Sequence, residues 1–250
     1  DRFREETFQE GEHPLEGVPN AAELPVPEEL VGKSKDVADQ NGVTALAGEY
    51  IARCLFSKNW QLREAAITKV HMRLETEFEN DPGITSCIPA LSTIVRVGVE
   101  DKIQQVLFNA VALLDDMLAG SRRAKIGRST IAPALDPVTA NLMEKLSDGK
   151  ERIREGARKG AEILASSANI GPAVVGAHAL RPLTAKQKAA WRPTVARLQI
   201  LTELINQYGL GNSSSGIMAP AVMKFAQDNG CFTHSNGEVR DATKDLTVVV

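Results

Sequence analysis

The stretch Ser57-Lys58-Asn59-Trp60-Gln61-Leu62-Arg63-Glu64-Ala65-Ala66 runs from a polar loop into an apolar residue, an arginine and then small residues. The same order returns at Ile103-Gln104-Gln105-Val106-Leu107, Ile153-Arg154-Glu155-Gly156-Ala157, Trp191-Arg192-Pro193-Thr194-Val195 and Val239-Arg240-Asp241-Ala242-Thr243. The steps are roughly 40–50 residues, the period of helical hairpins that bury their apolar faces only by stacking on their neighbours. The apolar residue (Leu62, Ile103, Ile153, Trp191, Val239) closes each hairpin by packing beneath its turn, much as a hydrophobic staple does. The next position falls in the first turn of a helix, where a cation opposes the macrodipole by roughly 0.3 kcal/mol or more. Arg63, Arg154, Arg192 and Arg240 stand there nonetheless. Two uses are open to them: ion pairs with neighbours such as Glu64, Glu155 and Asp241, or a partner met along one edge of the repeat stack.

Outward from these turns, helical spacing covers roughly 35–57, 61–78, 84–98, 101–119, 130–147, 150–167, 171–182, 189–208, 215–229 and 237–249. Stop signals fall between them at Asn80-Asp81-Pro82-Gly83, Gly149, Gly171-Pro172, Gly209 to Gly216 and Gly230. No run of alternating strand residues occurs. The sequence therefore predicts an all-α fold, an α-solenoid of stacked HEAT-type hairpins with about five to six repeats. Residues 1–33 are rich in Glu, Pro and Gly without apolar periodicity and read as an irregular lead-in or linker; 34–250 read as the repeat domain. The start at Asp1 and the end on Val248-Val249-Val250 read as a domain cut from a longer protein, with a last repeat left open.

Composition narrows the function. The chain has 250 residues, 43% of them hydrophobic, which is enough for a sizeable core. Its 29 Lys and Arg against 32 Asp and Glu give a net charge of −3, which argues against general nucleic-acid binding. Aromatic residues make up 4%, a poor supply for a β-sandwich. Cys54, Cys87 and Cys231 do not form a disulfide framework and suit a reducing, cytoplasmic setting. The long uncharged run from Ile163 to Leu180 is broken by Asn169-Ile170-Gly171-Pro172, so no membrane span is expected.

The first turn, Ser57 to Ala66, resembles the first intra-repeat turn of a TOG domain, a paddle of HEAT repeats that binds αβ-tubulin. Trp191-Arg192 and His234-Ser235-Asn236-Gly237-Glu238-Val239-Arg240-Asp241 resemble its fourth and fifth turns. Within the family the likeness is greatest to the single TOG domain of the ciliary-tip centrosomal group. The resemblance implies binding of the αβ-tubulin dimer through the turns by a monomeric, non-catalytic domain without cofactor or metal. It also implies a setting at microtubule plus ends, the centrosome or basal body, or the ciliary tip. Carried over turn by turn, it implicates Lys58, Trp60 and Arg63 in the first, and Val99, Glu100, Asp101 and Lys102 in the second. Gly149, Lys150 and Arg154 follow in the third, Lys186, Lys188 and Arg192 in the fourth, and Asn236 and Arg240 in the fifth. The second turn departs by offering Gln104 where the others offer arginine, and TOG domains usually have six repeats.

Independently of the family, a line of Arg and Lys could steer an acidic partner despite the net charge of −3. Trp60 lies in a polar loop and is expected to be exposed, as an interface anchor would be. Trp191 occupies the closing position and is expected in the core. Cys231-Phe232-Thr233-His234 has ligand-like spacing, but two ligands do not close a zinc site. His13, His71 and His178 are scattered, and Cys54 and Cys87 read as small core residues. The basic run Arg122 to Arg128 reads as a solvated inter-repeat loop, and Asn212-Ser213-Ser214 matches a glycosylation sequon without further support. A HEAT or armadillo scaffold with a non-tubulin partner is the main competing reading; an enzyme lacks any supporting motif.

Overall fold

The computed structural model describes residues 13–77, 83–211 and 216–250. Among these, thirteen α-helices and two short 3-10 turns occur and no strand. In chain order they are α1 (Gly32–Gln40), α2 (Val43–Ala47), α3 (Glu49–Leu55), α4 (Trp60–Glu77), α5 (Ile84–Glu100), α6 (Gln104–Arg123) and α7 (Arg128–Lys145). These are followed by α8 (Glu151–Ser166), α9 (Pro172–Ala179), α10 (Ala185–Lys188), α11 (Trp191–Tyr208), α12 (Ala219–Asp228) and α13 (Gly237–Val249). The Asn80-Asp81-Pro82 part of the stop signal and the Asn212-Ser213-Ser214 sequon lie outside the described residues.

The chain divides into two compact units, Asp1–Val138 and Thr139–Val250. In the first, α3 packs on α4 and α5 on α6, each pair a hairpin, and α4 also packs along α6. Leu55, Leu62, Ile67, Ile88, Leu91, Leu107 and Leu114 are buried between them. The helices approach closely at Gly98, where a Cβ would stand 2.4 Å from the Ala110 Cβ and 2.7 Å from the Ile67 Cδ1. In the second unit α8 packs on α9, α9 on α11 and α11 on α13, over Ile153, Leu164, Val175, Leu198, Leu201 and Val239. Arg197 is buried there; its guanidinium donates to the His178 carbonyl, and burial brings its pKa down to about 10.

The structure adds detail at three places. The single helix over 35–57 is three short ones, because Gly42 and Gly48 take left-handed φ values of 74° and 85° that interrupt the ladder. The basic run at 122–128 is a loop only over 124–127: Arg122 and Arg123 form the last turn of α6, where cations complement the helix dipole, and α7 starts at Arg128. The lead-in, irregular as expected, is anchored at a few points on the helices of the first unit. Leu15 is fully buried, Lys69 donates to the Glu16 carbonyl at 2.8 Å, and the His13 ring meets Tyr50 edge-on at 5.5 Å. The three cysteines are buried and unbridged, and burial pushes the Cys54 thiol up to about 12.

Candidate functional site

The turns are built from one recurring pair of devices. In four of them an Asn or Asp side-chain oxygen accepts a backbone N–H two residues on, which fixes entry into the next helix. Asn59 accepts from Gln61 at 2.9 Å, Asp101 from Ile103 at 2.9 Å, Asp148 from Lys150 at 2.9 Å and Asn236 from Glu238 at 2.8 Å. The second device is the arginine. Arg63 Nη1 donates to the Ser57 and Lys58 carbonyls at 2.9 and 3.0 Å. Arg154 Nη1 reaches Asp148 and Gly149 at 2.8 and 3.2 Å, and Arg240 Nη1 reaches His234 and Ser235 at 2.5 and 3.0 Å.

Each guanidinium thus bridges the carbonyls five and six residues back, across its own turn. This resolves the arginines' unfavourable position at a helix start, since satisfying two loop carbonyls with a charged donor outweighs a few tenths of a kcal/mol lost to the dipole. It also leaves aside one of the two uses open to them, ion pairs with the adjacent acids. Glu155 meets Arg152, Asp241 meets Lys244, and Glu64 carries a pKa raised by burial, opposed by hydrogen bonds from Gln105 and Asn109.

In the first unit, turns one and two are stitched together. Arg63 Nε and Nη2 grip the two Asp101 carboxylate oxygens at 2.6 and 3.0 Å, so the turn lacking its own arginine borrows one. Burial pushes the Asp101 carboxyl up, but the Arg63 hydrogen bond, the Ile103 and Lys102 N–H groups and the guanidinium charge together hold it below the usual carboxylate range. Arg63 and Asp101 are therefore engaged with each other. Val99 is fully buried and supports the turn from inside, so its side chain is not a contact surface. Lys58, Glu100 and Lys102 are exposed, and Trp60, the first residue of α4, is 38% exposed.

In the second unit, the predicted Gly149, Arg154 and Arg192 of turns three and four share a groove of about 640 Å³ with Trp191 and with Glu238 of turn five; the predicted Asn236 and Arg240 do not line it. Trp191 is half-exposed, not in the core: as the first residue of α11 it forms a shelf, with the Arg192 guanidinium 4.7 Å above its ring centroid. Lys150, Lys186, Lys188 and Arg240 are exposed and Asn236 is half-exposed. His234 serves the fifth turn, its Nδ1 accepting from the Asn236 N–H at 3.0 Å. His71 is bonded to Asp116.

Two features of these turns escaped the sequence reading. Thr184 and Gln187 form a reciprocal capping box at α10, and its Thr-x-x-Gln signature was available to find it. Glu28, from the lead-in, accepts from the Ser57 hydroxyl at 2.6 Å; no periodicity or motif signals that contact.

The fold is that of solved TOG domains. The TOG domain of human Cep104 aligns over 88% of this chain and 83% of its own, with 21% identity and a TM-score of 0.74. A second structure, described as the CEP104 TOG domain, aligns over 88% and 84%, with 23% identity and a TM-score of 0.75. A structure described under "TOG-tubulin binding specificity promotes microtubule dynamics and mitotic spindle formation" aligns over 89% and 86%, with 16% identity and a TM-score of 0.66. No curated protein matches the sequence. The helical hairpins are accordingly HEAT-type repeats of a TOG-like α-solenoid. The family model for the TOG domain of centrosomal protein CEP104 matches residues 40–246, and the chain belongs to that family.

Proposed function

We propose that this chain binds the αβ-tubulin dimer through its intra-repeat turns, without catalysis, and serves regulation at microtubule plus ends or the ciliary tip. Family membership and the likeness to a structure described in terms of TOG–tubulin binding support the partner. The observation that carries the reading is Trp60: a large aromatic side chain, 38% exposed, at the rim of a turn whose backbone is fixed by Ser57, Asn59 and Arg63. An apolar anchor on a rigid support, with Lys58 and Lys102 exposed on the same pair of turns, suits an acidic protein surface. In the second unit the Trp191–Arg192 shelf offers a guanidinium to carboxylates. The domain acts as a monomer that holds unpolymerised tubulin near a filament end.

Gel filtration with purified αβ-tubulin tests the reading. The unaltered chain is expected to co-elute with tubulin. Trp60→Ala should weaken the complex about 30-fold, a loss of about 2 kcal/mol, at an unchanged Tm. Failure of the unaltered chain to co-elute, or full binding by the variant, overturns it.

A further inference from the structure

The lead-in reaches the first turn through a specific set of contacts. Residues 25–31 run without helical hydrogen bonding, and Pro27 is buried. Arg53, in α3, fastens this segment: Nη2 donates to the Pro27 carbonyl at 2.6 Å, Nε to the Glu28 carbonyl at 3.1 Å, and Nη2 meets the Glu29 carboxylate at 3.0 Å. Thus held, Glu28 accepts from the Ser57 hydroxyl at 2.6 Å. The Ser57 Oγ is itself the acceptor for the Asn59 N–H at 3.0 Å, and Asn59 Oδ1 accepts from the Gln61 N–H at 2.9 Å. Ser57 is 5% exposed, so the hydroxyl at the centre of the relay is shielded from competing water, while Glu28 and the Asn59–Gln61 hydrogen bond lie at the surface. Trp60 lies between its last two members.

A serine hydroxyl has one proton to give and can otherwise rotate among several partners. Glu28 takes that proton and leaves the Ser57 lone pairs directed at Asn59. The Glu28 carboxyl is held below the usual range by the Ser57 hydroxyl first, with the Lys58 N–H and ammonium adding to it. An anion at this place also complements the positive end of α4.

We propose that Glu28, fastened by Arg53, is a positioning residue for Trp60: the lead-in forms a wall of the first turn and sets the orientation of its anchor. Residues of the lead-in, just ahead of the repeats, are then part of the binding apparatus, although they need not touch the partner. The consequence for tubulin affinity rests on the reading under Proposed function; the consequence for Trp60 does not.

Two measurements separate them. The chain has two tryptophans, so in a Trp191→Phe background Trp60 is the sole indole emitter. Acrylamide quenching and anisotropy of Trp60 are compared for Glu28→Ala, Ser57→Ala and Glu28→Gln. The alanine variants should raise the quenching constant about twofold and lower the anisotropy. Glu28→Gln, whose amide oxygen still accepts from Ser57, should stay near the parent. With Trp191 retained, Glu28→Ala should weaken tubulin binding about fivefold at an unchanged Tm, and Glu28→Gln less than twofold. Unchanged Trp60 quenching in Glu28→Ala, or equal effects of the alanine and glutamine variants, overturns the proposal. If the parent chain fails to bind tubulin, the partner assignment falls, and the quenching series alone still decides the role of Glu28.

Discussion

Replacing Arg63 by alanine removes four hydrogen bonds at once: two to the Ser57 and Lys58 carbonyls within turn one, and two to Asp101 in turn two. The side chains of Arg63 and Asp101 retain 19% and 5% of their surface, so the pair lies much nearer the buried limit than the exposed one. Exposed pairs are worth about 1 kcal/mol or less, whereas removing one partner of a buried pair costs about 3–5 kcal/mol. With Arg63 partly wetted, Arg63→Ala should cost about 3 kcal/mol. Asp101 is left with the Ile103 and Lys102 N–H groups, and two loop carbonyls lose their charged donor. Arg63→Lys keeps the charge without the fork and should recover no more than about 1 kcal/mol of that loss. Urea denaturation of the two single variants, Asp101→Asn and the Arg63→Ala/Asp101→Asn double variant gives the coupling directly, expected at about 1–3 kcal/mol. An Arg63→Ala stability within about 0.5 kcal/mol of the parent would refute this role for the guanidinium. Loss of tubulin binding at unchanged stability would mark the guanidinium as a partner contact rather than a turn stitch.

Two further predictions address the same unit. Gly98→Ala places a methyl 2.4 Å from the Ala110 Cβ and should destabilise by about 1–3 kcal/mol through overpacking, read as a fall in urea midpoint at constant m. Asp101, whose folded pKa lies below its ordinary value of 3.8, contributes stability that is complete above that value and is lost as pH falls through the lower folded one. The acid limb of a stability–pH curve should therefore flatten in Asp101→Asn, and an unchanged limb would contradict the assignment.

The repeat architecture was legible because each turn carries the same chemical order, and the closing residues Leu62, Ile153 and Val239 are buried as that order requires. What periodicity could not resolve was geometry within a turn. The spacing places an arginine at four of the five helix starts but cannot tell whether its guanidinium faces outward or folds back onto carbonyls five and six residues away. Nor could it show that Arg63 would serve the turn that has Gln104. Trp191 was misjudged because the closing position is defined by sequence order, while its exposure depends on how α10 and α11 enter the turn; Arg192 covers one face of the ring instead of the core doing so. The lead-in contact was invisible for another reason: Glu28 and Ser57 are 29 residues apart and belong to no common period.

In the proposed function the turns, and not the helix faces, meet tubulin. Hydrogen–deuterium exchange of the chain with and without αβ-tubulin tests it most directly, since amides in 57–61, 100–104, 147–151, 184–192 and 234–240 report each turn separately. Slowed exchange is expected in these segments, strongest around Trp60, with the helix interiors of α5 and α11 unchanged. Protection confined to helix faces or to the opposite helix ends, with the turns exchanging as in the free chain, would contradict it.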